Sequence, residues 1–179
     1  MPNSLQDHTR NRITRDEMFA QICQVVAQRS TCLRSQVGAL IVKDGRIVSM
    51  GYNGPVSGMP ACKEIPPGFQ KLLDEYNSYA LAKYEEYKRN INMCMGPGCT
   101  RSLHAETNAI AFAARAGVPV EGCTMYCSMS PCINCAKVIV NSGIQEVVFL
   151  EKYRSEEGTE LLQKSGIIVV DLGGTEDGK

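Results

Sequence analysis

Two short motifs in the second half of the chain constrain its fold more than any other feature. The first is the triplet H-A-E at residues 104–106, and the second is the segment P-C-I-N-C at residues 131–135. Each lies where the apolar pattern predicts the start of a helix. Cys132 and Cys135 are three residues apart, so both sulfurs lie on one side of the second helix. Together the motifs predict two helix N-termini that point at one spot and can form a three-ligand metal site.

The residue types in these motifs indicate a catalytic zinc site. A catalytic zinc ion takes three protein ligands and leaves its fourth position to water, whose pKa it lowers towards roughly 7. We predict His104, Cys132 and Cys135 as the ligands, since helix N-termini favour ionised thiols. Glu106 is then a carboxylate that does not bind the metal and can carry protons. The alternative, that His104 is an ordinary core or surface histidine, is disfavoured because the chain's other histidine, His8, lies near the N-terminus.

The balance of charges limits the classes of partner. The chain of 179 residues has 19 Lys and Arg against 19 Asp and Glu, so its net charge is zero. Proteins that bind duplex DNA or tRNA normally carry a basic surface, and we therefore expect no nucleic-acid partner. No apolar run is long enough to span a membrane, and the polar N-terminus does not match a signal peptide. With nine cysteines and no secretory signal, we expect a cytoplasmic location in which thiols bind metal.

Helix and strand patterns alternate along most of the chain. A capping box formed by Thr14 and Glu17 begins a first helix, whose predicted buried face consists of Met18, Phe19, Ile22, Val25 and Val26. The turn signal D-G at 44–45 joins the two strands of a hairpin. From residue 103 onward, helices and strands alternate, which predicts parallel strands with crossover helices. The predicted fold class is α/β: a mixed five-stranded sheet with helices on both faces, in the order α-β-β-α-β-α-β-α-β.

The length favours a single domain, which we place at residues 14–172 with tails at 1–13 and 173–179. An insertion at about 60–100 interrupts the regular pattern, within a less regular stretch over 51–100 that holds five of the eight prolines. Within it, the spacing of apolar residues predicts a helix over about 69–89. We expect the tyrosines of that helix to pack in the protein, the alternative being a platform on which a ligand stacks.

The two motifs, in this order and with the proline, are the signature of zinc-dependent nucleobase deaminases. The surrounding sequence resembles the deoxycytidylate (dCMP) deaminases, which belong to the zinc-dependent cytidine and deoxycytidylate deaminase family. The resemblance covers most of 14–172 and weakens over 63–93. The matching segments begin at Arg29 (R-S-T-C), Gln36 (Q-V-G-A), Asp44 (D-G-R-I-V), Gly51 (G-Y-N-G), His104 (H-A-E-T-N-A-I) and Ser130 (S-P-C-I-N-C-A-K).

This resemblance implies a cytidine deaminase-like fold and a hydrolase that acts on a cyclic amidine C–N bond. The implied reaction converts dCMP to dUMP and ammonia, and so supplies dUMP for thymidylate synthesis. The resemblance also implies a homohexamer, zinc ligands at His104, Cys132 and Cys135, and Glu106 as the proton shuttle.

The resemblance further implies four substrate-binding residues. Asn53 matches a position that contacts the nucleotide, and Tyr153 and Arg154 match a position that closes over the substrate. Arg29 is a candidate for the phosphate. Two alternatives remain open: Asn53 as a turn residue after the hairpin, and Arg154 as a solvated surface charge.

A regulatory site is implied by the segment made of Gly51, Tyr52, Asn53 and Gly54. This segment resembles the family motif associated with activation by dCTP and inhibition by dTTP, both as complexes with Mg²⁺. Two quaternary states can be biased by an effector only if it binds them unequally. The alternative is an unregulated enzyme in which the segment only shapes the turn and touches the substrate.

The remaining cysteines divide into two groups. A second, structural zinc, which some family members carry, is predicted at Cys32, Cys62, Cys94 and Cys99, in or beside the insertion. Such a site would stabilise a segment with little core, whereas the alternative is a set of free thiols in a reducing compartment. Small core positions are predicted for Cys23, Cys123 and Cys127.

Other functions compete with dCMP deamination. A deaminase of this kind can act instead on dCTP, on cytidine or on an adenosine in tRNA, and the neutral charge disfavours tRNA. A different class is a module that binds zinc and nucleotide without turnover. Glu106 argues against that module, because a purely structural site needs no proton carrier.

Overall fold

The structure of the chain is a computed structural model, which describes residues 12–32, 34–59, 61–62, 99 and 101–173. In chain order, the described helices and strands are α1 (Arg15–Ala27), β1 (Gly38–Lys43), β2 (Arg46–Tyr52), β3 (Gly54–Pro55), β4 (Ser102–Leu103), α2 (Ala105–Arg115), β5 (Thr124–Met129), α3 (Ile133–Asn141), β6 (Glu146–Glu151), α4 (Glu157–Lys164) and β7 (Ile168–Asp171).

Five strands form one mixed sheet in the order β2-β1-β5-β6-β7. β1 pairs antiparallel with both β2 and β5, whereas β5, β6 and β7 pair parallel. The hairpin turn places both Asp44 (φ 50°) and Gly45 (φ 72°) in the left-handed region, as a two-residue turn with positive φ at both positions requires. The predicted hairpin and the predicted parallel strands are therefore confirmed.

Alternate residues of the strands face opposite sides of the sheet, and both sides are covered. On one side, Leu40 and Val42 pack with Tyr126 and with Phe19 and Cys23 of α1. On the other side, the buried residues come from the strands and from α2, α3 and α4: Ala39, Ile41, Met125, Val147, Ala109, Ile139 and Leu162 are among them. The predicted five-stranded sheet with helices on both faces is confirmed.

The first helix begins as predicted, but its buried face differs from the prediction. The Thr14 side chain accepts from the Glu17 amide at 3.1 Å, and the Glu17 carboxylate accepts from the Thr14 amide at 2.6 Å, which completes the capping box. Val25 was wrongly predicted to be buried, since it is 63% exposed. Cys23 and Ala27 are buried instead, because the side chain at 25 projects past the edge of the stripe that the sheet covers.

Cys23, Cys123 and Cys127 are each at most 1% exposed, which confirms them as core residues. The two-stranded pairing of β3 with β4, which leads into α2, was not predicted.

Most of the predicted tails and of the insertion at about 60–100, including the helix over 69–89, lies outside the described residues. Within the described part, no helix has both the length and the apolar character that a membrane span requires.

Candidate active site

The cleft of the protein lies at the edge of the sheet that is formed by the carboxyl ends of three strands running in the same direction. Because β1 is antiparallel to both of its neighbours, β2 and β5 have the same direction, and β6 is parallel to β5. Asn53, Ser130 and Tyr153 follow the ends of these strands directly or within two residues. Ligands of open α/β sheets bind outside the carboxyl ends of the parallel strands.

Helix α2 brings the H-A-E motif to this edge. His104 is its N-cap residue, and Glu106 lies in its first turn. The helix lies directly on strand β2 at Gly51, where a Cβ atom would be only 2.4 Å from the Ala105 carbonyl oxygen and 2.5 Å from the Ala109 amide nitrogen. Only a residue without a side chain permits this approach, and so Gly51 sets the depth at which the motif sits.

Helix α3 brings the two cysteines to the same spot. Cys132 is its N-cap residue, and Cys135 lies in its first turn. The N-terminus of α4 closes against the preceding backbone, since a Cβ atom at Gly158 would be 2.0 Å from the Pro131 carbonyl oxygen. The prediction that two helix N-termini converge is therefore confirmed.

The distances between the donors fit a zinc ion. The Nδ1 atom of His104 lies 3.4 Å from the Cys132 sulfur and 3.3 Å from the Cys135 sulfur. All three donor atoms lie within 4.8 Å of one another. Around a tetrahedral zinc with ordinary Zn–N and Zn–S bonds, an N and an S ligand lie roughly 3.6 Å apart. Among the described residues, no other group of three His, Cys, Asp or Glu side chains meets the same criterion.

The protonation of these groups follows from their mutual contacts. Hydrogen bonds from Cys135 and from His104 lower the pKa of the Cys132 thiol, although burial opposes this. The hydrogen bond to Cys132 raises the pKa of His104. The contact with Cys132, followed by burial, raises the pKa of Cys135. A bound divalent cation reverses this second effect, because coordination deprotonates a thiol.

Glu106 has the burial expected of a proton carrier. Its side chain is only 4% exposed, and desolvation raises the pKa of its carboxyl group. Glu106 also lines the cleft beside His104 and Cys132. A carboxyl group with a raised pKa next to a metal-ligand triad can both accept and return a proton near neutral pH.

The cleft has a volume of about 630 Å³ and contains three of the four predicted substrate residues. Asn53, Tyr153 and Arg154 line it, and the Arg154 guanidinium lies 5.5 Å from the centre of the Tyr153 ring. Arg29 is not among the lining residues and is exposed in the turn after α1.

Two cationic residues of the cleft were missed by the sequence prediction. Arg34 and Lys152 both line it. The position of Lys152 beside the predicted pair Tyr153 and Arg154 was an available signal. No motif marked Arg34, which enters the cleft because residues 34–37 approach the end of β2.

Most of the hydrogen-bonding groups of Asn53 are used within the protein, which favours the alternative that Asn53 is a turn residue after the hairpin. Its Oδ1 accepts from the Val37 amide at 2.9 Å, and its Nδ2 donates to the Ser35 carbonyl at 2.9 Å. Its own carbonyl accepts from the Ser30 hydroxyl at 2.7 Å. One Nδ2 hydrogen and one Oδ1 lone pair remain beyond these bonds.

The predicted second zinc site is only partly described. Cys32 and Cys99 line the cleft, and Cys32 and Cys62 are each 8% exposed. The fourth predicted ligand, Cys94, lies outside the described residues. The three cysteines that are described do not by themselves form a group close enough to bind one ion.

Comparisons with known proteins agree with this geometry. The family described as "Cytidine and deoxycytidylate deaminase zinc-binding region" matches residues 13–151. The chain is 35% identical to the deoxycytidylate deaminase of Enterobacteria phage T4, a match that covers 85% of this chain and 86% of the relative. It is 36% identical to the deoxycytidylate deaminase of Mycobacterium phage D29, over 75% of this chain and 92% of the relative.

A solved structure extends the similarity to three dimensions. The dCMP deaminase from cyanophage S-TIM5, in complex with dCMP and dUMP, has a TM-score of 0.66 and 29% identity to this chain. The superposition covers 87% of this chain and 95% of the phage protein. With a family match over most of its length and relatives above 30% identity, the chain belongs to the cytidine and deoxycytidylate deaminase family.

Proposed function

We propose that this protein is a dCMP deaminase, which hydrolyses dCMP to dUMP and ammonia. The observation that carries the proposal is the buried carboxylate of Glu106 beside the triad of His104, Cys132 and Cys135 in one cleft. Relatives over most of the chain are named deoxycytidylate deaminase, and the solved relative was crystallised with dCMP and dUMP. These names support dCMP as the substrate.

In the proposed reaction, His104, Cys132 and Cys135 hold the zinc ion, which when bound supplies a water molecule of lowered pKa. Glu106 accepts a proton from the attacking water and passes it to ring N3, and it then carries the second proton, from the hydroxyl group newly formed at C4, to the departing amine. Because Glu106 is buried, its raised pKa suits both halves of this transfer. The net change replaces the amino group at C4 of cytosine by oxygen and releases ammonia.

The rim of the cleft supplies charges of the sign that a nucleotide phosphate requires. Arg34, Lys152 and Arg154 all line it, and Arg and Lys are the usual phosphate donors of proteins. We propose that Tyr153 and Arg154 close over the substrate and that Asn53 contacts it with its remaining capacity. Arg29 lies outside the cleft lining. For Arg29 to bind the phosphate of a substrate in the cleft, the turn after α1 would have to move.

The central test replaces Glu106 by Gln, which keeps the shape of the side chain but cannot take up a proton. Zinc content and unfolding midpoint should match the wild type, while turnover of dCMP should fall by at least the 100-fold typical of general acid–base catalysis. Glu160→Gln is the matched control, because Glu160 forms only an exposed i,i+4 ion pair with Lys164 at 3.0 Å. Near-normal ammonia release by zinc-loaded Glu106→Gln protein would remove the proposed mechanism.

Substrate selectivity separates the alternatives. Ammonia release from dCMP, dCTP, deoxycytidine and CMP should be fastest with dCMP, and deoxycytidine should be a very poor substrate, because it lacks the phosphate that the cations of the rim would bind. Equal turnover of deoxycytidine would identify a nucleoside deaminase, and preference for dCTP would identify a triphosphate enzyme. No turnover of any of them, with zinc bound, would favour a nucleotide-binding module.

We also propose regulation by dCTP and dTTP, each with Mg²⁺, through the segment made of Gly51, Tyr52, Asn53 and Gly54. The supporting contacts are the approach of Gly51 to α2 and a hydrogen bond from Asn108 of α2 to the Tyr52 carbonyl at 2.9 Å. A ligand on this segment would therefore touch the backbone that carries the catalytic helix. The plot of rate against dCMP concentration should be sigmoidal. Added dCTP should make it rise more steeply at low dCMP, and added dTTP should shift it to higher dCMP concentrations. A hyperbolic curve that neither triphosphate changes would refute regulation.

The remaining elements of the proposal are a cytoplasmic homohexamer, a domain spanning 14–172, a second zinc at the cysteines named above, and a role in supplying dUMP for thymidylate synthesis. Exposed apolar side chains on the outermost strand β2 and on helix α2 offer surface for assembly: Met50 is 58% and Phe112 is 51% exposed. Sedimentation velocity at micromolar concentration tests the hexamer, and a monomer under those conditions would remove it.

A further inference from the structure

The two cysteines of the triad have different surroundings. Cys132 lies at the N-cap of α3, is only partly buried and lines the cleft. Cys135 is nearly fully buried, at 2% exposure, inside the first turn. A buried thiolate is stable only where donors replace the water it has lost.

The hydroxyl of Thr107 faces the Cys135 sulfur from outside the triad, as does the carboxyl group of Glu106. Thr107 Oγ1 lies 3.6 Å from Cys135 Sγ, within the range of hydrogen bonds to sulfur. Thr107 follows Glu106 in the first turn of α2, so this contact also joins the helix of the carboxylate to the helix of the two sulfurs. An ionised sulfur has no proton to give, and in the metal-binding state the hydroxyl must therefore be the donor.

We propose that Thr107 is a positioning residue, whose hydroxyl donates a hydrogen bond to the Cys135 sulfur and thereby retains that sulfur as a metal ligand. The inference rests on the proposed zinc site. It does not make Thr107 a ligand or a catalytic residue, since its hydroxyl acts through Cys135. Groups that hold a ligand in this way typically change metal affinity 10- to 100-fold when they are replaced.

The test compares three variants in the full-length, zinc-loaded protein. Thr107→Val replaces the hydroxyl by a methyl group of nearly the same size, and Thr107→Ser keeps the hydroxyl and removes the methyl group. Thr124→Val is the matched control, because Thr124 also has a half-buried hydroxyl, bonded to Glu146 at 2.8 Å, but lies at the opposite end of β5. Zinc transfer to an excess of a coloured chelator gives the release rate for each protein.

We expect Thr107→Val to release zinc about tenfold faster than the wild type, and Thr107→Ser and Thr124→Val to release it within about twofold of the wild-type rate. Equal release by Thr107→Val and the wild type would overturn the proposal, as would an equally fast release by Thr124→Val. A wild-type protein that binds no zinc at all would instead contradict the proposed function.

A spectroscopic readout separates a hydrogen bond to sulfur from simple packing. With Co²⁺ in place of zinc, the sulfur-to-metal charge-transfer band should move to longer wavelength in Thr107→Val, because loss of a donor raises the energy of the sulfur lone pairs. Thr107→Ser should restore the wild-type band. Identical bands in the wild type and Thr107→Val, or a serine variant that behaves like the valine variant, would refute the hydrogen bond; this readout needs no enzymatic activity.

Discussion

Replacing Gly51 by Ala should displace the catalytic helix without changing any chemical group of the site. A Cβ atom there would lie 2.4 Å from the Ala105 carbonyl oxygen and 2.5 Å from the Ala109 amide nitrogen, both of them backbone atoms of α2. Ordinary contact begins at about 3.4 Å, so the helix must move away from β2 by about 1 Å. Overpacking of this kind costs about 1–3 kcal/mol of folding stability.

The same movement carries His104 and Glu106, which lie at the end of α2 nearest to Gly51. A misplacement of about 1 Å at a reacting group can reduce the rate by about 100-fold. We therefore expect Gly51→Ala to reduce kcat for dCMP by about 100-fold and to lower the unfolding midpoint by about 2–12 °C, given the size of the chain. The measurements are steady-state ammonia release and thermal unfolding followed by circular dichroism.

Gly54→Ala provides a control within the same four-residue segment, because the described residues leave the space around a Cβ at Gly54 open. Its unfolding midpoint and zinc content should equal those of the wild type. A Gly51→Ala protein with wild-type kcat and unfolding midpoint would refute the steric reasoning, and equal damage in both variants would mean that the segment is sensitive to any side chain.

Three further outcomes test other contacts. Ser130→Ala removes the hydroxyl that accepts from the Tyr153 amide at 2.8 Å, and KM for dCMP should rise about tenfold with a smaller change in kcat. Burial raises the pKa of the Cys23 thiol from 9.0 to about 12, so the neutral thiol contributes its full stabilisation below pH 9, and this contribution is lost as the pH rises through 12. In denaturant titrations, Cys23→Ala should therefore lose less stability at alkaline pH than the wild type does. Metal analysis should find two zinc ions per chain in the wild type and one in Cys94→Ser, and a single zinc in fully active wild-type protein would remove the second site.

The sequence was sufficient for the metal-ligand triad because each of its members belongs to a local pattern. The spacing of Cys132 and Cys135 determines that they share a side of a helix, and the proline before them marks the helix start. Burial of Val25 could not be judged in the same way. Whether a residue at the margin of an apolar stripe is covered depends on the width of the opposing sheet, which no local pattern encodes.

The charged residues that line the cleft were harder to predict than the triad of His104, Cys132 and Cys135. Arg34 and Lys152 are ordinary charged residues in the sequence, and only the fold brings both of them to the lining of one cleft. Conversely, Arg29 lies in a segment that matches the family, but the chain turns away after α1 and leaves its side chain exposed. Short motifs thus predicted which donor groups meet in the cleft better than which charges surround them.

The direction of β1 explains how the early segment reaches the late motifs. If β1 were parallel to β5, the end of β2 would lie at the opposite edge of the sheet from Ser130 and Tyr153. The antiparallel pairing of Ala39 with Cys127 reverses the hairpin, so that Asn53 emerges at the same edge as both. A hairpin that enters an otherwise parallel sheet in this way places a third loop at the cleft without a further crossover helix. The tight D-G turn that enforces the hairpin is therefore a condition for assembling the proposed nucleotide site, although it lies at the far end of the sheet from it.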